Sequence, residues 1–295
     1  MVNKKISKLA IGSANFGLDY GLANSHGKIS ETELKNILVL AEVAGIEVID
    51  TAPFYGDSEA RLGTFCSDNR FKMVTKIRYN LENDFAKKSV SRLVGQSRKR
   101  LNQSRLYAVM LHQPEILLTD YGNVIIKELL MLKERDIISK IGVSIYSPDI
   151  LDKILKRLRL DIVQAPFNIF DQQIVSSGWS DKLKAGGVEI HTRSVFLQGL
   201  LLLRHSSLKN YFTRNWPDQF SDWYKFLKDK EVDALQIALN FALKQDWIDK
   251  VVVGVDSGAQ LRSLVEIEES SMSLDFPKLE CDDPNLINPS NWNLT

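Results

Sequence analysis

The side chains that could carry chemistry in the first half of this sequence are a carboxylate, a phenol, an amine and an imidazole: Asp50, Tyr55, Lys76 and His112. A tyrosine has an ordinary pKa of about 10, so it needs a nearby cation to act as an acid or base near neutral pH. Lys76 could supply that cation, and Asp50 could keep the lysine charged and in place. His112 could donate a hydrogen bond to a carbonyl oxygen. These residue types together predict proton transfer to a carbonyl group that accepts hydride.

Each of these residues also has an ordinary structural explanation when it is taken alone. Asp50 could begin a turn, and Tyr55 could be a half-buried aromatic residue. Lys76 could lie along the surface with its amine in water. His112 could be a hydrogen-bonded histidine of the core or rim. The catalytic interpretation therefore requires a fold that brings the four side chains together.

Short β-branched runs alternate along the chain with longer stretches of helical period. The predicted strands are Lys5–Ile11, Ile46–Ile49, Lys72–Lys76, Leu106–Leu111, Ile138–Val143, Asp161–Ala165, Val188–Thr192 and Val251–Val253. The predicted helices are Glu31–Ala44, Ser58–Phe65, Phe85–Leu101, Tyr121–Arg135, one that starts at Ser147-Pro148, Ser180–Lys184, Glu231–Lys244 and Gln260–Glu268. Strand-then-helix units in this number predict an α/β protein, a (β/α)8 TIM barrel. A doubly wound sheet is the main alternative, but Gly12–Gly17 lacks the GxGxxG spacing of its first turn.

The helix that starts at Glu31 carries clear signals at both ends. Ser30 is its predicted N-cap with Glu33 as capping-box partner, and Gly45 follows its last turn. An aromatic-rich segment around residues 202–230 interrupts the alternation, and the chain after residue 276 is polar and turn-prone. We therefore predict one barrel domain over residues 1–295, with a loop insertion at 202–230 and a C-terminal tail.

A barrel collects its functional residues at the carboxyl ends of its strands. Polar residues stand at most of these predicted ends: Asp50 and Tyr55 after the second strand, Lys76 on the third, His112 after the fourth, Ser144 after the fifth, Gln164 and Asn168 at the sixth and Arg193 after the seventh. The second, third and fourth strands are neighbours in such a barrel. The barrel prediction thus makes the four candidate catalytic side chains converge.

Composition argues against several other functions. The 295 residues carry 38 basic and 37 acidic side chains, so a nucleic acid or an anionic membrane is not indicated as the main partner. Cys66 and Cys281 lie far apart without metal-ligand spacing, so we expect reduced thiols and no metal site. No apolar run approaches the roughly 20 residues of a membrane span. We expect a cytoplasmic protein.

Several ordered segments resemble one known family. The segment Ile49–Gly63, IDTAPFYGDSEARLG, resembles the aldo-keto reductase signature, in which Asp and Tyr stand five residues apart before a GxSExxLG turn. Further matches in order and spacing are MVTKI at Met73–Ile77, VMLHQPE at Val109–Glu115, IGVS at Ile141–Ser144, VQAPFN at Val163–Asn168, FLQGLL at Phe196–Leu201 and VVVGVDS at Val251–Ser257. The first motif is highly specific, and the resemblance covers nearly the whole chain.

The resemblance implies a (β/α)8 barrel that binds a nicotinamide dinucleotide without a Rossmann fold and reduces an aldehyde or ketone. It implies catalytic roles for Asp50, Tyr55, Lys76 and His112. It implies cofactor contacts at Gly12, Ser13, Asp50, Ser144, Gln164, Arg193, Ser194, Phe196, Gln198, Gly254, Ser257 and Gln260. It implies substrate contacts at Tyr55, His112, Phe54 and Phe16. NADPH is the expected cofactor, with NADH as the alternative, and a monomer is the family default.

The cofactor half of this pattern departs from the family. Arg193 stands where a flat aromatic residue usually stacks on the nicotinamide; a guanidinium can also stack, but its charge predicts a more reducing bias or altered cofactor affinity. Gln260 stands where an arginine usually binds the 2′-phosphate of NADPH. Asp256 would repel that phosphate, whereas Ser257 would accept it. Ile145 stands where an asparagine commonly follows the serine.

Two other functions remain open at this point. Lys76 at a strand end could form a Schiff base in a lyase or aldolase, although a lysine paired with Asp50 would be a poor nucleophile. The chain could also be a binding subunit that senses nicotinamide with residual turnover. The candidate rim aromatics are Phe16, Phe54, Trp216, Trp223 and Trp292. With their polar neighbours they suggest a sugar-like or other hydroxylated carbonyl substrate.

Overall fold

Eight parallel strands pair in sequence order in the computed structural model, and the first pairs with the eighth to close a barrel. The structure describes residues 7–22, 24, 27–66, 70–79, 89–270 and 275–294. The strands of this part of the chain are β1 Leu9–Gly12, β2 Val48–Asp50, β3 Lys72–Ile77, β4 Leu106–Leu111, β5 Ile138–Ser144, β6 Ile162–Pro166, β7 Glu189–Arg193 and β8 Lys250–Gly254. The (β/α)8 prediction is confirmed, and the doubly wound alternative is wrong.

Helices follow the strands and cover the outside of the barrel. They are α1 Ala14–Gly17, α2 Glu31–Val43, α3 Ser58–Phe65, α4 Val90–Leu101, α5 Gly122–Glu134, α6 Leu151–Leu155, α7 Gln173–Ser176, α8 Trp179–Ala185, α9 Asn210–Asn215, α10 Pro217–Asp229, α11 Ala234–Leu243, α12 Gly258–Glu269 and α13 Pro284–Ile287. Short 3-10 turns lie at Pro114–Leu118, Pro148–Ile150, Leu197–Leu202, His205–Ser207 and Pro289–Asn291. The predicted starts at Lys5 and Phe85 lie outside the described residues.

Two separate apolar clusters hold the barrel together. Side chains of alternating strand positions fill its interior, among them Ala10, Val74, Ala108, Met110 and Ile162. A much larger cluster lies between the outer strand faces and the helices. The strands are buried on both faces, which explains their nearly continuous apolar runs. Polar strand residues lie at both ends of the barrel, and those at the carboxyl ends include Asp50, Lys76, Ser144 and Arg193.

The predicted N-cap of α2 is confirmed, but its capping box is not. The Ser30 hydroxyl accepts a hydrogen bond of 3.1 Å from the Glu33 backbone N–H. The Glu33 carboxylate accepts from the N–H of Gly258 at the start of α12 instead of returning to Ser30. A tertiary contact between α2 and α12 therefore replaces the predicted local one.

The helix predicted at Glu231–Lys244 begins later than its periodicity indicates. Glu231 has a φ of 51°, which breaks the helical path after α10. The Asp233 carboxylate accepts from the N–H groups of Leu235 and Gln236, so α11 begins at Ala234. Asp233 is thus the N-cap that periodicity alone did not identify.

The insertion at 202–230 is a packed helical layer rather than a rim loop. It contains α9 and α10, and Trp223 is fully buried with its indole N–H donating to Leu201 O over 3.2 Å. Trp216 is also buried and donates to Asp283 in the C-terminal tail at 3.0 Å. Trp292 packs edge-on against Phe212. The prediction that these three tryptophans form a substrate rim is wrong, because they join the insertion and the tail to the barrel.

No helix within the described ranges is long and apolar enough to span a bilayer.

Candidate active site

A cavity of about 580 Å³ opens at the carboxyl ends of the strands. Its wall contains residues that follow nearly every strand of the barrel. The polar members of its wall include Ser13, Asn15, Asp50, Tyr55, Lys76, His112, Ser144, Gln164, Arg193 and Asp256. The fold therefore brings Asp50, Tyr55, Lys76 and His112 together at one cavity, as the catalytic interpretation requires.

Asp50 and Lys76 form a buried ion pair at the floor of the cavity. The Lys76 ammonium donates to Asp50 Oδ1, and their side chains are 2% and 5% exposed, lysine first. Burial by itself would lower the pKa of Lys76, but the charge of Asp50 and the hydrogen bond to it raise that pKa above its usual value. Lys76 therefore remains an ammonium group throughout the ordinary pH range.

Two glycines set the position of Tyr55. A Cβ on Gly17 would lie 1.9 Å from Tyr55 O, and a Cβ on Gly56 would lie 2.2 Å from Gly17 O. The turns after β1 and β2 thus touch backbone to backbone. The Tyr55 ring then lies 5.3 Å from the Lys76 ammonium and edge-on against Phe54. This is the spatial relation that a cation-assisted phenol needs.

His112 lies against the same aromatic side chain. The centroids of the His112 and Phe54 rings are 4.6 Å apart, and His112 Nδ1 is buried without a hydrogen-bond partner. Burial first, then the positive charges of Lys76 and Arg193, lower the pKa of His112 to about 4. The ring is therefore neutral at physiological pH and can donate one N–H to a ligand.

A hydrogen-bonded chain crosses the cavity floor from β3 to β5. Gln164 Nε2 donates to Asp50 Oδ2 over 2.8 Å, and the Ser144 hydroxyl donates to Gln164 Oε1 over 3.1 Å. Gln164 is fully buried and Ser144 nearly so. These hydrogen bonds connect the Lys76–Asp50 pair to Gln164 and Ser144, two of the predicted cofactor contacts, and fix their orientation.

The loop after β7 forms one wall of the cavity in an unusual backbone conformation. Ser194, Leu197 and Gln198 have φ values of 61°, 48° and 53°. The side chain of Asn168 donates to Ser194 O over 3.0 Å, and the Gln198 amide donates to the Tyr20 hydroxyl over 3.3 Å. Asn168, which follows β6, thus stabilises this loop. Ser194, Phe196 and Gln198, three of the predicted cofactor contacts, all line the cavity.

The wall after β8 and β1 fits the sequence predictions unevenly. Gly12 and Gly254 line the cavity, and a Cβ on Gly254 would meet no atom within 4 Å. Gln260 also lines it, with its side-chain oxygen accepting from Asp256 N over 2.8 Å. Ser257 lies outside the cavity wall, where its hydroxyl accepts from Gln260 N and caps α12. The hydroxyl predicted to bind a phosphate is therefore used as a helix cap.

One predicted substrate contact is wrong. Phe16 is fully buried within the apolar cluster outside the barrel, because the short helix α1 turns it away from the cavity. Phe54 does line the cavity, next to Tyr55 and His112. The substrate side of the wall therefore begins at Phe54 and does not include Phe16.

Sequence reasoning missed several cavity residues, among them Asn15, Tyr20 and Tyr146. Asn15 donates to the Asp256 carboxylate, Tyr20 contacts Gln198, and Tyr146 lies under the Arg193 guanidinium with Cζ 4.4 Å from the ring centroid. Tyr146 directly follows Ile145, where the sequence departs from the family pattern, and this position near a predicted cofactor contact could have indicated that Tyr146 lines the cavity. Asn15 and Tyr20 lie on the long loop after β1, whose path no periodicity indicates.

Comparison with known proteins agrees with this geometry. The model of the Aldo/keto reductase family matches residues 8–276. D-arabinose 1-dehydrogenase of Saccharomyces cerevisiae is 25% identical, with 89% of this chain and 85% of that protein covered. D-threo-aldose 1-dehydrogenase of a Pseudomonas species is also 25% identical, with 87% and 90% covered.

Solved structures show the same fold. The holo form of aldo-keto reductase AKR11C1 from Bacillus halodurans superposes with a TM-score of 0.71 at 21% identity, covering 91% of this chain and 89% of that one. The glycerol dehydrogenase AKR11B4 from Gluconobacter oxydans gives a TM-score of 0.69 at 20% identity, covering 92% and 89%. With a family model that spans most of its length, the chain belongs to the aldo/keto reductase family and is a carbonyl oxidoreductase.

Proposed function

We propose that this protein reduces an aldehyde or ketone to an alcohol, with hydride from a nicotinamide dinucleotide and a proton from Tyr55. One observation carries the proposal. The Tyr55 ring lies beside a buried Lys76 ammonium that Asp50 keeps charged, in the same cavity as a neutral His112. A phenol in this environment can release a proton and remain stabilised as phenolate.

The cavity has the donor set and the open backbone that a nicotinamide dinucleotide requires. Ser144 and Gln164 present a hydroxyl and an amide at the floor, and Gly254 leaves space at the wall. When bound there, the nicotinamide would supply the hydride. NADPH is the proposed cofactor on the family resemblance. Asp256 at the cavity wall disfavours a phosphate group nearby, so competitive titration with NADH must decide the preference.

Residues of the chain carry out the polarisation of the carbonyl group and the proton transfer. The neutral His112 donates an N–H to the carbonyl oxygen, which positions and polarises it. The Tyr55 hydroxyl gives its proton to that oxygen as negative charge develops there. Lys76 stabilises the resulting phenolate, and Asp50 holds the ammonium in place. In the direction of alcohol oxidation, the same phenolate accepts the proton.

The Schiff-base alternative is disfavoured by the environment of Lys76. Its pKa is raised by Asp50 and its amine is almost fully buried, so a free nucleophilic amine is rarely present. Borohydride reduction in the presence of a carbonyl compound would leave a covalent adduct on Lys76 if the protein were an aldolase. We expect no adduct by mass spectrometry.

Both curated relatives are named as aldose 1-dehydrogenases, which supports a hydroxylated carbonyl compound or its cyclic hemiacetal as substrate. The aromatic residues Phe54, Tyr20 and Tyr146 line the cavity together with Asn15 and Gln198. Aromatic faces with amide groups nearby suit a polyhydroxylated ring. A panel of aldoses beside simple aliphatic aldehydes tests this part of the proposal.

The Tyr55→Phe variant tests the mechanism. Loss of the proton donor should lower kcat by about 10²- to 10⁴-fold while cofactor affinity, measured by fluorescence titration, stays close to that of the wild type. Tyr224→Phe is the matched control, because the Tyr224 hydroxyl donates to Leu203 O away from the cavity. Full turnover by the Tyr55→Phe variant would contradict the mechanism.

A further inference from the structure

Of the two cations that the described residues contribute to the cavity wall, one is paired with a carboxylate and the other is not. Lys76 pairs with Asp50, and the Asp256 carboxylate accepts from Asn15. Arg193 lines the same cavity, yet no carboxylate lies within ion-pair distance of its guanidinium in the part of the chain that the structure describes. The cavity wall therefore contains a cation with no described carboxylate in direct contact; the charge of Arg193 acts on the buried Asp171 carboxyl only from beyond ion-pair distance, as one of the influences that oppose the rise of the Asp171 pKa on burial.

The guanidinium of Arg193 is held firmly by uncharged groups. Nη2 donates to Ile145 O over 3.0 Å, Nη1 donates to the Ser194 hydroxyl over 3.2 Å, and its carbon lies 4.4 Å from the centroid of the Tyr146 ring. A guanidinium has five N–H donors, so these two bonds leave three without an acceptor among the described residues. The group is thus prearranged to bind an anion in the plane of its free donors.

Arg193 is turned toward the side of the cavity where the carbonyl oxygen is proposed to bind. It packs on Tyr146, and the Tyr146 ring lies edge-on to His112 with centroids 6.5 Å apart. The charge of Arg193 is also one of the influences that lower the pKa of His112, after burial and Lys76. A ligand bound to His112 would therefore interact electrostatically with the Arg193 guanidinium at short range.

We propose that Arg193 determines substrate specificity by binding an anionic group, a carboxylate or a phosphate, carried by the carbonyl substrate. This inference rests on the proposed carbonyl reduction. A partly buried guanidinium without a counter-ion is unfavourable, and a ligand anion relieves that cost with charge-assisted hydrogen bonds. One face of the Arg193 guanidinium packs on Tyr146, and its remaining N–H donors are the part that the proposal assigns to the substrate anion.

Two aldehydes of equal shape and different charge test the proposal. 4-Formylbenzoate and 4-formylbenzamide are compared by kcat/KM, with 4-formylphenyl phosphate as a third arm that separates carboxylate from phosphate recognition. We expect the wild type to prefer an anionic aldehyde over the amide by tenfold or more, the size of a typical charge-assisted hydrogen bond. Arg193→Gln should abolish this preference.

Arg78→Gln is the matched control. Arg78 is exposed and outside the cavity wall, yet its charge also contributes to the lowered pKa of His112. The control variant removes the same unit charge from the same region, so it should keep the preference for the anion. Equal kcat/KM for charged and neutral aldehydes in the wild type, or equal loss in both variants, would overturn the proposal.

A binding measurement separates this inference from the proposed function. Benzoate and benzamide are titrated by NMR into the protein alone and into the protein saturated with oxidised dinucleotide. Tighter binding of benzoate that is lost in Arg193→Gln supports the anion site even if none of the aldehydes is reduced, and in that case only the proposed function fails. Equal binding of the two ligands overturns the anion site. A benzoate preference that disappears when dinucleotide is added also overturns it, because Arg193 would then serve the cofactor phosphates.

Discussion

Burial changes the chemistry of single side chains in this cavity. Lys76 is nearly inaccessible and would lose its charge without Asp50, whereas with Asp50 its pKa rises. No carboxylate of the described residues forms an ion pair with the His112 ring, and burial beside cations lowers the pKa of His112 to about 4. Of these two titratable neighbours of Tyr55, one is therefore permanently charged and the other permanently neutral near pH 7.

The titration of His112 can be measured directly. We expect its ring to stay neutral down to pH 5 and to titrate with a pKa of about 4, followed by NMR of the imidazole resonances. The His112→Asn variant lacks these resonances and so assigns them to this residue. A pKa of His112 above 6 would contradict the assignment of a neutral hydrogen-bond donor. The acid limb of the activity profile between pH 5 and 7 would then belong to this residue.

The Lys76–Asp50 pair should also be important for stability. Asp50→Asn leaves the Lys76 ammonium buried without a counter-ion, which typically costs about 3 to 5 kcal/mol. Urea denaturation monitored by tryptophan fluorescence measures the loss. Asp229→Asn, which breaks the exposed Lys225–Asp229 pair on α10, is the control and should change stability far less. Equal losses in the free energy of unfolding for the two substitutions would show that burial of the Lys76–Asp50 pair does not increase its contribution to stability.

At the scale of elements, the site depends on how closely two turns approach each other. The turn after β1 and the turn that carries Tyr55 touch at Gly17 and Gly56, where a side chain would overlap backbone atoms. Neither the strand pattern nor the helix pattern indicates this contact. It follows from the closure of the barrel, which places the ends of β1 and β2 side by side.

Gly17→Ala should therefore impair catalysis through the backbone. Its Cβ would lie 1.9 Å from Tyr55 O, so the turn must move and the phenol with it. Since a displacement of about 1 Å can cost 10²-fold in rate, we expect kcat to fall by at least tenfold. Gly95→Ala is the control, because a Cβ there meets no atom within 4 Å in the middle of α4. It should keep full activity and gain up to about 1 kcal/mol in urea denaturation.

The sequence predicted the bounds of helices and strands well where neighbouring residues alone determine them. Ser58–Phe65 and Leu106–Leu111 were predicted with the observed bounds, since an apolar period and flanking polar residues define both. The capping box at Glu33 and the start of α11 were wrong. The Glu33 carboxylate accepts a hydrogen bond from the distant backbone N–H of Gly258 instead of closing the capping box. The positive φ of Glu231 prevents α11 from starting at that residue.

At the scale of the molecule, a second polar cluster joins strands at the opposite end of the barrel. Glu189 accepts from the Tyr107 hydroxyl over 2.7 Å, pairs with Lys140 and contacts His191 Nε2 at 2.6 Å. It thus connects β4, β5 and β7. This arrangement stabilises the barrel rather than contributing to the cavity, because polar groups at the amino ends of the strands lie far from the site.

The Glu189 cluster makes stability depend on pH. Burial would raise the pKa of Glu189, but hydrogen bonds from His191, Lys140 and Tyr107 outweigh it and lower that pKa to about 2. A lowered pKa stabilises the fold fully above the unfolded value of 4.5, and the stabilisation is lost as the pH falls toward 2. It amounts to about 3 kcal/mol at neutral pH.

Glu189→Gln should therefore lower the free energy of unfolding at pH 7, and its difference from the wild type should shrink by roughly 2 kcal/mol at pH 3. Urea denaturation at the two pH values measures both quantities. Glu266→Gln, at an exposed position on α12, is the matched control for the removal of one surface carboxylate. A difference for Glu189→Gln that is the same at pH 7 and pH 3 would contradict the role of the carboxylate.

The sequence alone determined the barrel and the grouping of its four candidate catalytic residues. Alternating strand and helix periods imply eight parallel strands, and their carboxyl ends must then meet, which groups Asp50, Tyr55, Lys76 and His112. Tertiary structure decided the rest of the cavity wall. In the folded chain Phe16 is buried, and the predicted rim tryptophans pack in or against the apolar core. Ser257 caps a helix, and Tyr146 packs against the Arg193 guanidinium. Periodicity reports which face of an element is apolar, but only the packed chain determines which loop residues meet across the barrel.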